Sequence, residues 1–426
     1  MPRILHLGLG NFHRAHQAWH TAHAGGDWRI TGVVMGNAVL FATLSTQNGA
    51  YHLGIRGPDG LTVERIALHD RMLLAREDPQ GVIAAISEPD VQIVTLTVTE
   101  KGYCLGSDGR LDPDHPAIAS DLAQGPRSAI GLLAHGLAAR EAPVTVISCD
   151  NVSGNGHKLR AAVSDFACAA GLTLPTGTRF PDTMVDRITP ATTDAIRAEI
   201  AAASGAEDAA PVLTEAFSEW VIADDFAGPR PAWERAGVEI VPDVAPFEMR
   251  KLRLLNAAHS YLAYAGLLAG HRYVHEAIAD PDLRAGVERL WDEAQATLPE
   301  AVLPTTPAYR DALTRRFGVA EMRHELAQIA GDGSLKLPER IVPLITSAGV
   351  TSQAQRAIAA WIAFVLCAQD RGAQLNDPNA DRIAGLVAKA DGTRALCADL
   401  AALIGLRDIA PGWLDSLAAD VDRLAG

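Results

Sequence analysis

The chain opens on a nearly continuous apolar run that stops at glycines, Ile4-Leu-His-Leu-Gly-Leu-Gly10. This pattern predicts a buried strand followed by a tight turn. Phe12 to Ala24 reads as a helix. Trp28 to Met35, rich in β-branched residues, reads as a second strand. Val91 to Val98 and Val144 to Cys149 are two more buried strands, and Ser128 to Ala139 and Lys158 to Ala170 are helical by periodicity. Strands alternating with helices in this way predict a parallel sheet covered on both faces. Past Pro242-Asp243 the pattern changes to long helices with little strand: Phe247 to Ala269, Pro281 to Thr297, Pro307 to Phe317, Ser352 to Gln369, Asp381 to Ala390 and Ala395 to Ile404. The fold class that follows is an α/β N-terminal domain built on a parallel sheet over 1–245. A mainly α-helical C-terminal domain takes 246–426.

Composition narrows the function. A chain of 426 residues is too long for one ordinary core. It carries 37 basic against 51 acidic side chains, a net charge of −14, with no Lys/Arg block. Phosphate-backbone binding to nucleic acid is thereby disfavoured, and the acidity reads as solubility. The cysteines Cys104, Cys149, Cys168, Cys367 and Cys397 are odd in number and form no C-x-x-C pair, so neither a disulfide framework nor a zinc ribbon is expected. The N-terminus does not read as a signal peptide, and no apolar run reaches the ~18 residues of a membrane span. The expectation is a cytoplasmic protein without membrane partners. No heptad seam demands a partner chain, which predicts a monomer or weak homo-oligomer acting on a small molecule.

The turn Gly8-Leu-Gly10-Asn-Phe-His13 lies between the first strand and the first helix. Gly8 permits the turn, and Gly10 lets a pyrophosphate approach the backbone where N–H groups favour an anion. The third glycine of the dinucleotide fingerprint is absent, with His13 in its place, and a turn that binds nothing would need glycines too. The acidic residue that holds an adenosine ribose should end the second strand, but that end reads Val34-Met-Gly-Asn37-Ala38. Asn37 is a candidate for a ribose hydroxyl, and the choice between NAD and NADP is not readable here. His13, His16, His20 and His23 recur on one helical face, yet they span about 15 Å, too far for one ion. The reading is a polar helix face beside the cofactor, with no metal.

The segment Pro246 to His259 starts the second domain. At helical spacing, Glu248, Lys251, Asn256 and His259 fall within a sector of about 140°. They alternate with Leu252 and Leu255, both expected to be buried. Such a face suits a hydroxyl-rich substrate, but a Glu248–Lys251 ion pair with Asn256 as a buried hydrogen-bonder fits the spacing equally.

This segment resembles the K-x-x-x-x-N-x-x-H signature of the mannitol dehydrogenase family, the polyol-specific long-chain dehydrogenases. Gly10-Asn-Phe-His-Arg-Ala-His-Gln17, Thr97-Val-Thr-Glu-Lys-Gly-Tyr103 and Ser148-Cys-Asp-Asn151 with Asn155-Gly156 are similar to motifs of that family in the same order. So are Met184-Val-Asp-Arg-Ile-Thr-Pro190, Val274-His-Glu-Ala-Ile-Ala-Asp280 and Asp332-Gly-Ser-Leu-Lys336. The resemblance implies a metal-independent enzyme with a Rossmann-like dinucleotide-binding domain over 1–245, a helical substrate-binding and catalytic domain over 246–426, and its active site in a cleft between the two domains. It places Lys251 as the catalytic base, Asn151 and Asn256 as the oxyanion hole, His259 as a substrate contact and Glu248 as a proton relay. Asp186 and Lys336 stand at the substrate's edge and far end. Gly8, Gly10, Asn11, Phe12, Asn37 and Glu100 are the expected cofactor contacts, with NAD the expected cofactor and NADP not excluded. The implied reaction oxidises a polyol to a ketose. The alternative is a fructuronate or tagaturonate reductase, for whose carboxylate Lys336, Arg323 and Arg340 are available. A remoter alternative is a non-catalytic nucleotide sensor, which would need neither Lys251, Asn256 nor His259.

The chemistry agrees with these roles. Hydride leaves readily only from an alkoxide-like carbon, so a base must take the hydroxyl proton. A free lysine, with a pKa near 10.4, needs burial and a neighbouring positive charge to do so at neutral pH. The developing alkoxide needs donors, and two amide side chains supply them.

Overall fold

The structure is a computed structural model that describes residues 1–57, 59–106, 108–348, 352–407 and 409–426, with side chains throughout these except at 346–348 and 352. It divides into two compact units, Met1–Ala245 and Pro246–Gly426.

The first unit alternates strands and helices: β1 (Arg3–Leu7), α1 (Asn11–Ala15), α2 (Gln17–Ala24), β2 (Arg29–Val34), α3 (Ala38–Thr46), β3 (Tyr51–Gly57), β4 (Gly60–Ile66) and β5 (His69–Leu74). It continues with α4 (Pro79–Ser87), β6 (Val91–Leu96), α5 (Pro116–Gln124), α6 (Ala129–Ala138), β7 (Thr145–Ser148), α7 (Asn155–Ala169), β8 (Thr183–Asp186) and α8 (Asp194–Ser204). It closes with β9 (Val212–Glu215), β10 (Glu219–Ala223) and β11 (Glu239–Val241). The main sheet runs β5-β2-β1-β6-β7, and every pairing in it is parallel. A parallel sheet needs cover on both faces. Val82, Ile86, Leu133, Leu159 and Phe166 belong to one apolar layer, and Ile4, Ile30, Leu53, Val185 and Trp220 to a second. Two small sheets, β11-β10-β8 and β4-β3-β9, complete the unit.

The second unit is helical. It begins with α9 (Ala245–Lys251), a π-helical turn (Leu252–Asn256) and α10 (Ala257–Leu268), followed by α11 (Val274–Ala279), α12 (Pro281–Gln295), α13 (Thr306–Phe317) and α14 (Leu326–Ala330). Then come α15 (Gly333–Arg340), α16 (Val342–Ala348), α17 (Ser352–Asp370), α18 (Ala380–Lys389), α19 (Thr393–Leu403) and α20 (Pro411–Ala425).

Two helices differ from their sequence reading. The stretch from Phe12 to Ala24 breaks at His16, whose φ of −117° and ψ of −82° are non-helical. The break turns His13 toward His6 and His69, and His16 toward Trp220. The stretch from Phe247 to Ala269 is interrupted by the π turn. Its Ala257 N–H reaches the Leu252 carbonyl, five residues back. Of the two leucines expected inside, Leu255 is buried with Leu254, whereas Leu252 is only half-buried.

Candidate active site

The glycine turn is held from three sides. Gly8 has a φ of +93°, and a Cβ there would lie 2.2 Å from the Thr97 carbonyl oxygen. Its N–H and that of Leu9 both donate to the Val33 carbonyl of β2, at 3.0 and 2.9 Å. At Gly10 a Cβ would meet only the Gly8 carbonyl, at 3.7 Å, so the space above the turn is open. Arg14, which the sequence reading passed over, fixes the far side: it is buried, its Nε donates to the Gly10 carbonyl at 3.2 Å and its Nη2 to Asn11 Oδ1 at 2.7 Å. The Tyr51 hydroxyl donates to Arg14's own carbonyl at 2.6 Å. Burial lowers the Arg14 pKa to about 10, which still leaves the guanidinium charged at neutral pH. Asn11 also donates to Thr192 Oγ1 at 3.2 Å, and the half-buried Phe12 stacks on His16 with ring centroids 5.1 Å apart. The open room at Gly10 and the unpaired N–H groups that every helix start presents suit a dinucleotide pyrophosphate.

Beside the turn, Asp150 orders two loops. Its carboxylate accepts from the N–H of Thr99 at 2.8 Å, from that of Val98 at 3.2 Å and from the Tyr103 hydroxyl at 3.1 Å. Burial raises its pKa against the pull of these bonds. The strained Thr99, with φ +65°, opens the 3₁₀ turn that carries the exposed Glu100. Asn151 follows Asp150 and is exposed. The fully buried Asn155 ties the end of β7 to β8, accepting from Thr183 N–H at 2.9 Å and donating to the Asp150 carbonyl at 3.0 Å. Asp186, buried, ends β8. Asn37 is exposed and caps α3, its Oδ1 accepting from Leu40 N–H at 3.0 Å.

Three rings of the histidine stripe, expected as a polar helix face beside the cofactor, lie in the interior. His13, His16 and His20 are buried and bonded apart: His13 Nε2 to His69 Nε2 at 2.9 Å, His16 Nε2 to the Glu219 carbonyl at 3.1 Å, and His20 to the Ala236 carbonyl and Ser218. His23 stays at the surface beside Glu64. Tertiary contacts, invisible to periodicity, drew these rings inward. Among the described residues no group of three or more His, Cys, Asp or Glu is placed to hold a metal ion.

In the second unit the π turn lies between Lys251 and Asn256. In a pure α-helix these residues would stand 140° apart. A turn closing at i+5 brings the sixth residue back over the first, so the sector drawn from α geometry is too wide. Lys251 is 7% exposed and His259 9%; Asn256 and Glu248 are half-buried. Neighbours hold this wide turn. The Trp291 indole donates to the Leu254 carbonyl at 3.0 Å, and the buried Arg250 donates to Thr305 Oγ1 at 2.6 Å while lying 4.5 Å over the Tyr309 ring. The His259 ring packs 4.9 Å from Phe317 and 5.3 Å from His324, and its Nε2 is sealed without a hydrogen-bond partner. Burial, then the surrounding basic groups, holds its pKa well below the usual value. Lys336 is engaged with the backbone at the end of α14, donating to the Gly331 carbonyl at 2.6 Å and to that of Ile329 at 3.2 Å.

A parallel sheet with a glycine turn at the end of its first strand, on a chain whose other unit is helical, defines a Rossmann-type oxidoreductase. The chain belongs to the mannitol dehydrogenase family: residues 2–235 match its Rossmann domain and 243–409 its C-terminal domain. It is 37% identical over 396 residues to D-mannonate oxidoreductase of Escherichia coli strain K12, covering 87% of this chain and 81% of the relative. It is 40% identical over 367 residues to D-arabinitol 4-dehydrogenase of Ralstonia nicotianae, covering 81% and 78%. Among solved structures, the Pseudomonas fluorescens mannitol 2-dehydrogenase ternary complex with NAD and D-mannitol superposes with a TM-score of 0.80 at 33% identity, covering all of this chain and 91% of the other.

Proposed function

We propose that this chain oxidises a secondary hydroxyl of an open-chain polyhydroxy substrate, polyol or sugar acid, with NAD as the hydride acceptor, and catalyses the reverse ketone reduction. The observation that carries this reading is the π turn, with a buried lysine at one end and an amide at the other. The dinucleotide, when bound, takes the hydride. Gly8, Gly10, Asn11, Phe12, Asn37 and Glu100 are assigned to holding it. Support for NAD comes from the relative solved with it.

Lys251 takes the hydroxyl proton and hands it to Glu248, three residues away on the same helix. Asn256 and Asn151 donate hydrogen bonds to the oxygen as its charge develops. His259 and Asp186 contact neighbouring hydroxyls. A donor aimed at developing charge contributes roughly 3 kcal/mol, about a hundredfold in rate.

The test is Lys251→Ala, assayed by nicotinamide absorbance on a panel of alditols and aldonates, with dinucleotide affinity measured by calorimetry. The expected outcome is loss of nearly all turnover at unchanged affinity. Retention of even a tenth of wild-type activity removes Lys251 from the role of base.

A further inference from the structure

Basic groups surround His259 in the second unit. Three cations were available for a carboxylate. Lys336 is engaged with the carbonyls of Ile329 and Gly331, and Asp332 stands 3.8 Å from its ammonium. Arg323 is exposed, in a left-handed turn with φ +43°. Arg340, the last residue of α15, is different. It is half-buried, and of its five N–H donors it directs one to a protein acceptor, Nη1 to Ser260 Oγ at 3.3 Å. Ser260 is the neighbour of His259 on α10. Of the acidic groups that act on Arg340, Tyr264 is a buried phenol, Glu339 is exposed and Asp332 stands beside Lys336.

His259 supplies a second, independent observation. Its side chain is nine-tenths buried with Nε2 unpartnered, and the charged groups acting on it most strongly, His324, Arg316, Arg340 and Lys251, are all basic. No Arg340 donor is a sealed orphan among the described residues, so those not spent on Ser260 are open to an incoming group, and a planar carboxylate can accept two parallel N–H bonds from them. A neutral alditol offers hydroxyls but no charge.

We propose that Arg340, with His259 and His324 beside it, holds the carboxylate of the substrate, so that the substrate is an aldonate and its product a keto sugar acid. The inference rests on the oxidoreductase reading above. The carboxylate takes no part in the bond changes: the carbinol C–H pair leaves as hydride to the dinucleotide, and the O–H proton goes to Lys251. The balance is secondary alcohol plus oxidised dinucleotide to ketone, reduced dinucleotide and a proton.

The experiment compares kcat/KM for D-mannonate, D-altronate and D-gluconate with that for the alditols D-mannitol, D-altritol and D-sorbitol, in the wild type, Arg340→Gln and Arg340→Lys. An aldonate is expected to exceed its alditol by about a hundredfold, the worth of one charged hydrogen-bonding partner. Arg340→Gln should collapse that ratio chiefly through KM, and Arg340→Lys should restore part of it. A merely structural arginine would depress both substrate classes alike and leave the ratio standing. Preference for an alditol, or an unchanged ratio in Arg340→Gln, overturns the proposal and leaves the oxidoreductase reading in place. Turnover of neither class overturns both. Should Arg340→Gln fail to fold, the wild-type ratio decides alone.

Discussion

At the scale of single residues, the buried histidines set the acid limit of the protein. His6 stacks on His13 at 3.4 Å, and His13 bonds to His69, all three fully enclosed. Burial pushes the pKa of His69 and of His20 down to about 3, and those of His6 and His13 in the same direction. Folded, these rings stay neutral; unfolded, they protonate below pH 6.5 or so. Between those values the unfolded chain binds more protons, so stability is full above about pH 6.5 and falls as the pH drops. At pH 4.5 the rings of His69 and His20 each cost roughly 2.7 kcal/mol. Urea midpoints measured from pH 7.5 to 4.5 should decline steeply, and His69→Gln should flatten the decline; an identical slope in that variant would remove His69 from the account. A second residue-scale expectation concerns Gly8. Gly8→Ala combines a positive φ with a methyl driven into the Thr97 carbonyl, so it should lower stability by about 1–3 kcal/mol and weaken dinucleotide binding in calorimetry. Gly8 was legible because the demand for a turn is local. The buried fate of His16 and His20 was not, because their partners Glu219, Ser218 and Ala236 lie some two hundred positions along the chain, and that of His13 was not because its partner His69 lies 56 positions on.

Among the elements, the π turn matters most to the proposed chemistry. Inserting one alanine after Arg253 would add about 100° of helical rotation between Lys251 and the pair Asn256 and His259. The expected outcome is a helical circular dichroism spectrum close to wild type with turnover lost; retained turnover would deny the turn its role. Trp291→Phe keeps an aromatic ring but leaves the Leu254 carbonyl without its donor and some room where the buried indole stood, at about 1–3 kcal/mol in a thermal melt. The same scale shows which elements could be read from the chain. Continuous apolar runs marked β1, β2, β6 and β7, because strands covered on both faces need apolar residues throughout. The hairpin β3–β4 escaped: Tyr51-His-Leu-Gly-Ile-Arg-Gly57 mixes polar and apolar positions, and its exposed face carries no continuous signal. The π turn escaped as well, since five residues are too few to separate a period of 3.6 from a wider one.

For the molecule as a whole, a ligand that binds the folded chain alone must stabilise it. Dinucleotide at a hundred times its Kd should add about 2.7 kcal/mol, read as a rise in melting temperature, and a melt unmoved by NAD and NADP would undo the dinucleotide assignment. Among the described residues no helix is long and apolar enough to cross a membrane. Order of synthesis adds one more consequence, from the small sheet β4-β3-β9. Its β3 pairs Leu53 with Val212 in parallel, so that edge waits for its partner while the intervening chain is made. At ribosomal rates of about 5–20 residues per second the wait lasts roughly 8–30 s. A nascent chain of this protein therefore carries an open strand edge long after the segments of its main sheet have left the ribosome, and that interval is when a chaperone has most to shield.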